Sequence, residues 1–397
     1  MLRMQWSEGG CADGPGGRIT ARAAETRGAD RRPAGTAGTW TGKGGVALTI
    51  VLSCAAACGG ASDSLHAGPE LVSLERIVLS EVDSGFVGQP WALAVARDGR
   101  FLVADGAARR ILVFGRDGRF VGGIGRPGSG PGEFAAPTWL ALGGDSLVYA
   151  LDNPRVLAFD QRSGAFRWAR SFPRRLSMLA AHGDRLFAGY PDSLGNGSVA
   201  VLDGDTSTFR VIGPFPELLR FPPIRMMAGT VAVAVERDEL ATAYAMTDRV
   251  YISPIDGDVL DSIAVPAVRR QGAQTELLRR FAESPWDAEV AERAIYGSSA
   301  PLGLHWLPSG MLALVTVDAR VEQGRIVGEN FLSVIDRERR RSCVDAPIPG
   351  PREPLPRVAF RGDTLFVISQ DVTPDDRVVT AIDLYRIATN ACRWQAG

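Results

Sequence analysis

The feature that most constrains this chain is an internal repeat. The stretches P-W-A-L-A-V-A-R-D-G-R-F-L-V-A-D-G-A-A-R-R-I-L-V-F (90–114) and P-T-W-L-A-L-G-G-D-S-L-V-Y-A-L-D-N-P-R-V-L-A-F (137–159) stand in register, with Pro90 and Pro137 47 residues apart, as are Asp105 and Asp152. Each unit holds three short apolar strands. A D-G or G-D turn interrupts the first pair and an Asp ends the second strand, which is the pattern of an antiparallel meander. The first unit adds a fourth strand at 119–124, and looser copies follow at 179–203, 224–265, 302–336 and 357–387. Six units of roughly 40 to 50 residues each can bury their apolar faces only against one another. The expected fold is all-β, a six-bladed β-propeller of four-stranded antiparallel blades. One pitch before the fourth strand of the first unit lies L-V-S-L-E-R-I (71–77), at the phase of a fourth strand without its own blade. This N-terminal strand is expected to complete the last blade and so to close the ring.

The loop G-R-P-G-S-G-P-G-E-F-A-A-P (125–137), followed by strand, turn, strand and Asp, resembles the NHL-type repeat, especially that of bacterial six-bladed propeller proteins with lipoprotein signals. The match is good for the first two units and degenerate elsewhere. The resemblance implies that loops between second and third strands and loops joining blades share one face, the usual binding face.

Ahead of the repeats the composition changes twice. Residues 1–45 are rich in Gly, Ala, Arg and Thr, nearly devoid of large aliphatic side chains, and read as a disordered leader or an overextended start. Residues 46–58, V-A-L-T-I-V-L-S-C-A-A-A-C, form an apolar run behind Lys43, too short to span a bilayer and suited to a secretion signal. The run resembles the lipid-attachment box of bacterial lipoproteins. Cys58, behind three alanines and ahead of the linker 59–70, is the favoured attachment site, and Cys54 is the alternative. The chain is therefore expected to be exported and anchored to a bacterial membrane through lipid alone, facing the periplasm or the cell exterior.

One segment of the 71–397 body breaks the pattern. Between the fourth and fifth units, residues 269–296 place Leu277, Leu278 and Phe281, then Val290, Ala294 and Ile295, at helical spacing. Ser284, followed by Pro285 and Asp287, predicts the start of the second of two short helices. As an inter-blade insert it is either a lid or partner-docking element over the binding face, or a decoration packed on the rim.

The chemistry on offer is sparse. Of 44 basic residues, 43 are arginine, and the one lysine is Lys43, so the body has no lysine for Schiff-base or P-loop chemistry. The 44 basic and 45 acidic groups give no basic footprint for nucleic acid. Three histidines, one of them His66 in the linker, are too few for a clustered zinc site, so no metal ligands are assigned. Candidate binding-face residues are Asp105, Arg109, Asp152, Arg155 and the inner-strand His305; Asp residues at such positions also commonly bond their own turns. Cys343 and Cys392 are a candidate disulfide: their separation of 49 residues, one blade pitch, would place them on diverging outer parts of neighbouring blades, but Cys392 lies in the C-terminal tail, which could bend across. The leading expectation is a monomeric, non-enzymatic envelope module binding a protein, peptide or glycan, without a cofactor. The alternatives are a hydrolase or lyase using a divalent cation at the propeller axis, and a structural scaffold.

Overall fold

The computed structural model describes residues 68–80, 86–144, 146–190, 195, 197–204, 208–217, 231–256, 261–284, 287–323, 325–350 and 357–397. The leader, the signal-like run with Cys54 and Cys58, and most of the linker lie outside the described residues.

Six antiparallel sheets form in chain order, their first strands at Pro90–Val95, Trp139–Gly143, Leu179–His182, Val231–Glu236, Ala300–Trp306 and Arg357–Arg361. Each first strand is the edge of its sheet and touches the first strand of the next blade, and the sixth touches the first, so the ring is complete. The second and third strands read as unbroken apolar runs because both faces of each blade are covered by neighbours. Phe101–Ala104 and Ile111–Phe114, for example, are buried along their length. Outer strands such as Phe120–Ile124 are largely open to solvent, with Ile124 alone buried in that strand.

The last blade is closed by the start of the body. Glu70–Val78 pairs antiparallel with Val378–Ala388, from Glu70 opposite Ala388 to Val78 opposite Ala381. A bulge between Ser73 and Glu75 leaves Leu74 exposed, while Ile77 and Leu79 enter the core between the sixth and first blades. Arg76 joins the two ends ionically, pairing with Asp371 and with Asp383 at 3.1 Å.

Blades five and six depart from the repeat on one side. Strand pairs between second and third positions are 5 or 6 residues long in the first four blades. In blade five they are 11 and 12 residues, Leu312–Glu322 and Arg325–Asp336, and in blade six 9 and 11, Thr364–Val372 and Val378–Ala388. These hairpins rise on the face that also carries the inter-blade loops. The helical insert is there as well, as α1 (Thr275–Glu283) and α2 (Ala288–Tyr296). The second helix begins at Asp287, not Ser284: the Asp287 carboxylate accepts from the N–H groups of Glu289 and Val290, whereas Ser284 ends α1 by donating its N–H to the Arg280 carbonyl. An ionised carboxylate three residues further on is the better partner for the helix's free N–H groups.

Cys343 and Cys392 are bonded, with Cα atoms 5.6 Å apart. The blade-pitch argument against pairing fails because Cys392 is not on a blade. After Ala388 the tail turns back, and Gln395–Ala396 pairs with Arg341–Ser342 as a fifth strand on the outer edge of blade five. Trp394 lies under the Arg341 guanidinium, 4.3 Å from ring centre to Cζ. Cys343→Ser with Cys392→Ser should lower the unfolding free energy by about 2–4 kcal/mol, as expected for closing a loop of this length. Denaturant titration measures the loss, and alkylation without reductant followed by mass spectrometry should leave both wild-type positions unmodified.

Candidate functional site

The six first strands enclose an axial channel of about 250 Å³. Leu93, Leu140, Leu179, Val233, Leu304 and Phe360, one from each blade in turn, are among its lining residues, along with His305. The His305 ring stacks on Phe360, with centroids 5.0 Å apart and planes 6° from parallel, and its Nε2 lies 3.3 Å from the Gly362 carbonyl. Burial pushes its pKa down to about 4, outweighing the hydrogen bond to that carbonyl, so the imidazole is neutral near pH 7. His305 lies near the end of its strand, opposite Ala313, and therefore towards the mouth ringed by the turns between first and second strands.

Asp105 and Asp152 belong to the other mouth. Both are buried; Asp152 collects backbone N–H groups from the loop that enters its blade, and Asp105 takes one from that loop and one from its own turn. Asp105 accepts from Gln89 at 3.0 Å and Ala108 at 2.7 Å. Asp152 accepts from Ala135 at 3.2 Å and Ala136 at 2.6 Å and is ion-paired with Arg155. Arg155 in turn donates to the carbonyls of Ser129, at 2.7 Å, and Glu133, at 3.2 Å, clamping the glycine-rich loop between the first two blades. Arg109 is exposed in its turn at φ +50°. The structure thus brings Asp152 and Arg155 together, gives Asp105 a loop to hold, and puts His305 at the far end of the axis from all of them.

Asp318 holds the equivalent position in blade five. Its carboxylate accepts from the Gln271 N–H at 2.6 Å and the Ser299 hydroxyl at 2.5 Å, joining the two ends of the helical insert. Burial raises its pKa, opposed by these two hydrogen bonds. The signal was present in A-L-V-T-V-D (313–318), an apolar strand ending in Asp like F-L-V-A-D and V-Y-A-L-D. It went unread because the longer hairpin continues past it.

A second buried carboxylate anchors the insert, and nothing in the repeat foretells it. Asp345, on the fourth strand of blade five with φ +61°, accepts from the N–H groups of Val268 at 2.6 Å and Arg269 at 2.9 Å. It also accepts from Nε of Arg270 at 3.0 Å, and the Arg270 side chain, 2% exposed, reaches on to Asp248 at 2.5 Å and to the Val265 carbonyl. Asp248 completes the circuit by accepting from the Ala273 N–H at 2.8 Å. Above this network, Leu277 and Leu278 of α1 and Val290 and Ala294 of α2 pack on a cluster containing Tyr244, Met246 and Phe215. The insert is therefore seated on blades three and four, and α2 also touches the long strand Leu312–Glu322 of blade five.

Six sheets whose inner edges meet in a closed ring, each opening from a loop on one face, decide the architecture. The chain is a six-bladed β-propeller. A family model described as a 6-bladed beta-propeller matches residues 67–195, from just before the closing strand into the third blade. Two solved structures share the propeller at low identity. A Bacteroides fragilis protein described as exported is 14% identical with a TM-score of 0.57, over 80% of this chain and 95% of its own. A member of the DUF4221 family from Bacteroides vulgatus is 11% identical with a TM-score of 0.56, over 81% of this chain and 99% of its own. No curated protein matches the sequence. Among the described residues of the propeller, no helix is long and apolar enough to cross a membrane, and no group of three or more His, Cys, Asp or Glu could hold a metal ion.

Two expectations follow from this geometry. Arg270→Ala removes the cation between two carboxylates, one of them fully buried, and should destabilise the propeller by about 3–5 kcal/mol in urea unfolding. The depressed pKa of His305 means that the unfolded chain binds its proton first, so stability is complete above about pH 6.5 and declines as pH falls towards about 4. His305→Gln should flatten that decline between pH 6.5 and 4 when the thermal midpoint is followed against pH.

Proposed function

We propose that the protein is an exported binding module, held to a bacterial envelope membrane by a lipid on Cys58, that captures a protein partner on its loop face. The asymmetry of that face carries the reading. The second and third strands of blades one to four are 5 or 6 residues long, whereas those of blades five and six run to between 9 and 12 and rise beside the helical insert. Four aliphatic side chains near the hairpin ends are open to solvent: Val321 at 49%, Ile326 at 44%, Val372 at 69% and Val378 at 39% exposure. Ion pairs flank them, Arg320 with Glu322 and Glu329 on one hairpin and Arg377 with Asp375 on the other. Apolar contacts set within a polar rim are the anatomy of a protein interface.

The signal-like run at 46–58 supports export, as does the exported description of a protein sharing the fold. The axial lining, aliphatic apart from aromatic rings and His305, favours binding over cation-dependent hydrolysis or elimination at the axis. A photo-crosslinking amino acid at position 372 should give one dominant protein adduct in whole cells. The same group at position 121, also exposed but on the outer rim of blade one, should not give it. Equal labelling from both positions, or none from 372, would overturn the reading.

A further inference from the structure

We infer that the axial channel is a second, separate binding site, which takes one uncharged, mainly apolar small molecule of roughly two fused or linked rings. Its wall is the argument. Every blade contributes, and the contributed side chains are Leu, Val, Ala, Met, Trp, Phe and the neutral His305, with no Asp, Glu or Arg among the lining residues. An ionised ligand would leave water here without a counter-charge, which costs far more than apolar contact returns. An uncharged apolar ligand meets the opposite balance. The channel offers about 250 Å³, room for an apolar body beside the backbone groups that share its wall.

The channel is not wholly without hydrogen-bonding groups. All six first strands are sheet edges that turn backbone groups to the axis, although Val231 is bonded through both its N–H and its C=O to the Ser177 hydroxyl. Where Nε2 of His305 donates to Gly362, Nδ1 is left as an acceptor. The ligand class is therefore an apolar body carrying one or two neutral polar groups, such as a hydroxyl or an amine without charge. Trp139 is held in the wall by donating its indole N–H to the Leu179 carbonyl at 3.1 Å, so the ring stands ready as a flat contact surface.

The site does not depend on the loop-face reading, since its lining comes from the inner strands and from no residue of the insert or the hairpins. N-phenyl-1-naphthylamine, an uncharged probe of fitting size, tests it on the intact mature protein. Expected are a fluorescence rise saturating at one probe per chain and at least tenfold weaker binding of the sulfonated anilinonaphthalene analogue. Ala181 lines the channel and is half-buried, so the ring of Ala181→Phe has the cavity to enter and should weaken the neutral probe at least tenfold. Val358→Phe, on another blade, is the second variant should the first not fold, and near-UV circular dichroism confirms that each does. Val121→Ser, which removes an exposed rim side chain, should leave binding unchanged. No saturable binding by the folded protein, equal affinity for the sulfonate, or insensitivity to a folded channel-filling variant would each overturn the inference.

Discussion

The rest of this structure depends on one set of backbone hydrogen bonds, the ladder joining Glu70–Val78 to Val378–Ala388. No blade here is a stable object alone. Its apolar residues belong to clusters that bridge to the next blade, as Leu93, Phe101 and Phe114 of the first blade pack with Phe366, Ile368 and Ile382 of the sixth. An open row of such sheets would end in two bare apolar faces. The ladder removes both ends at once, and Ile77 and Leu79 drive the closing strand into the seam it seals.

Within the ring, buried carboxylates do the work that regular pairing cannot. Loops crossing from the outer edge of one blade to the axis of the next leave backbone N–H groups that no strand can satisfy. Asp105, Asp152, Asp318 and Asp345 each accept from such groups. Because they are acceptors for several donors at once, they can position long insertions as well as short turns. The helical insert is fixed at its base by Asp318 and Asp345 while its helices pack elsewhere, so it is as firmly founded as the short glycine-rich loop between blades one and two.

Much of this was legible in the sequence. Periodicity alone gave the six blades and the strand-phase argument gave the closure, because a propeller repeats both its apolar runs and its spacing. The two helices were visible in the spacing of Leu277, Leu278, Val290 and Ala294. What escaped reading has a common physical cause, contacts between residues distant in sequence and without a repeat to announce them. Arg270 binds Asp345 from 75 residues away, and although Cys343 and Cys392 stood as a candidate pair, nothing in the repeat announced the tail strand at Gln395–Ala396 that lies beside them. The lengthened hairpins hid Asp318 by continuing past it. The candidate binding residues were assembled on one face from their strand ends, but a strand has two ends, and His305 lies towards the opposite one.

The direction of the closing strand has a mechanical meaning. Glu70 sits towards the face of the first-to-second-strand turns and Val78 towards the loop face, with the ladder running between them. A pull on the chain ahead of Glu70, resisted at the loop face, is therefore directed along the strand. It loads the rungs of the ladder together in shear, where a perpendicular pull would peel them open one after another. The seam that makes the ring is oriented to bear tension applied along the closing strand.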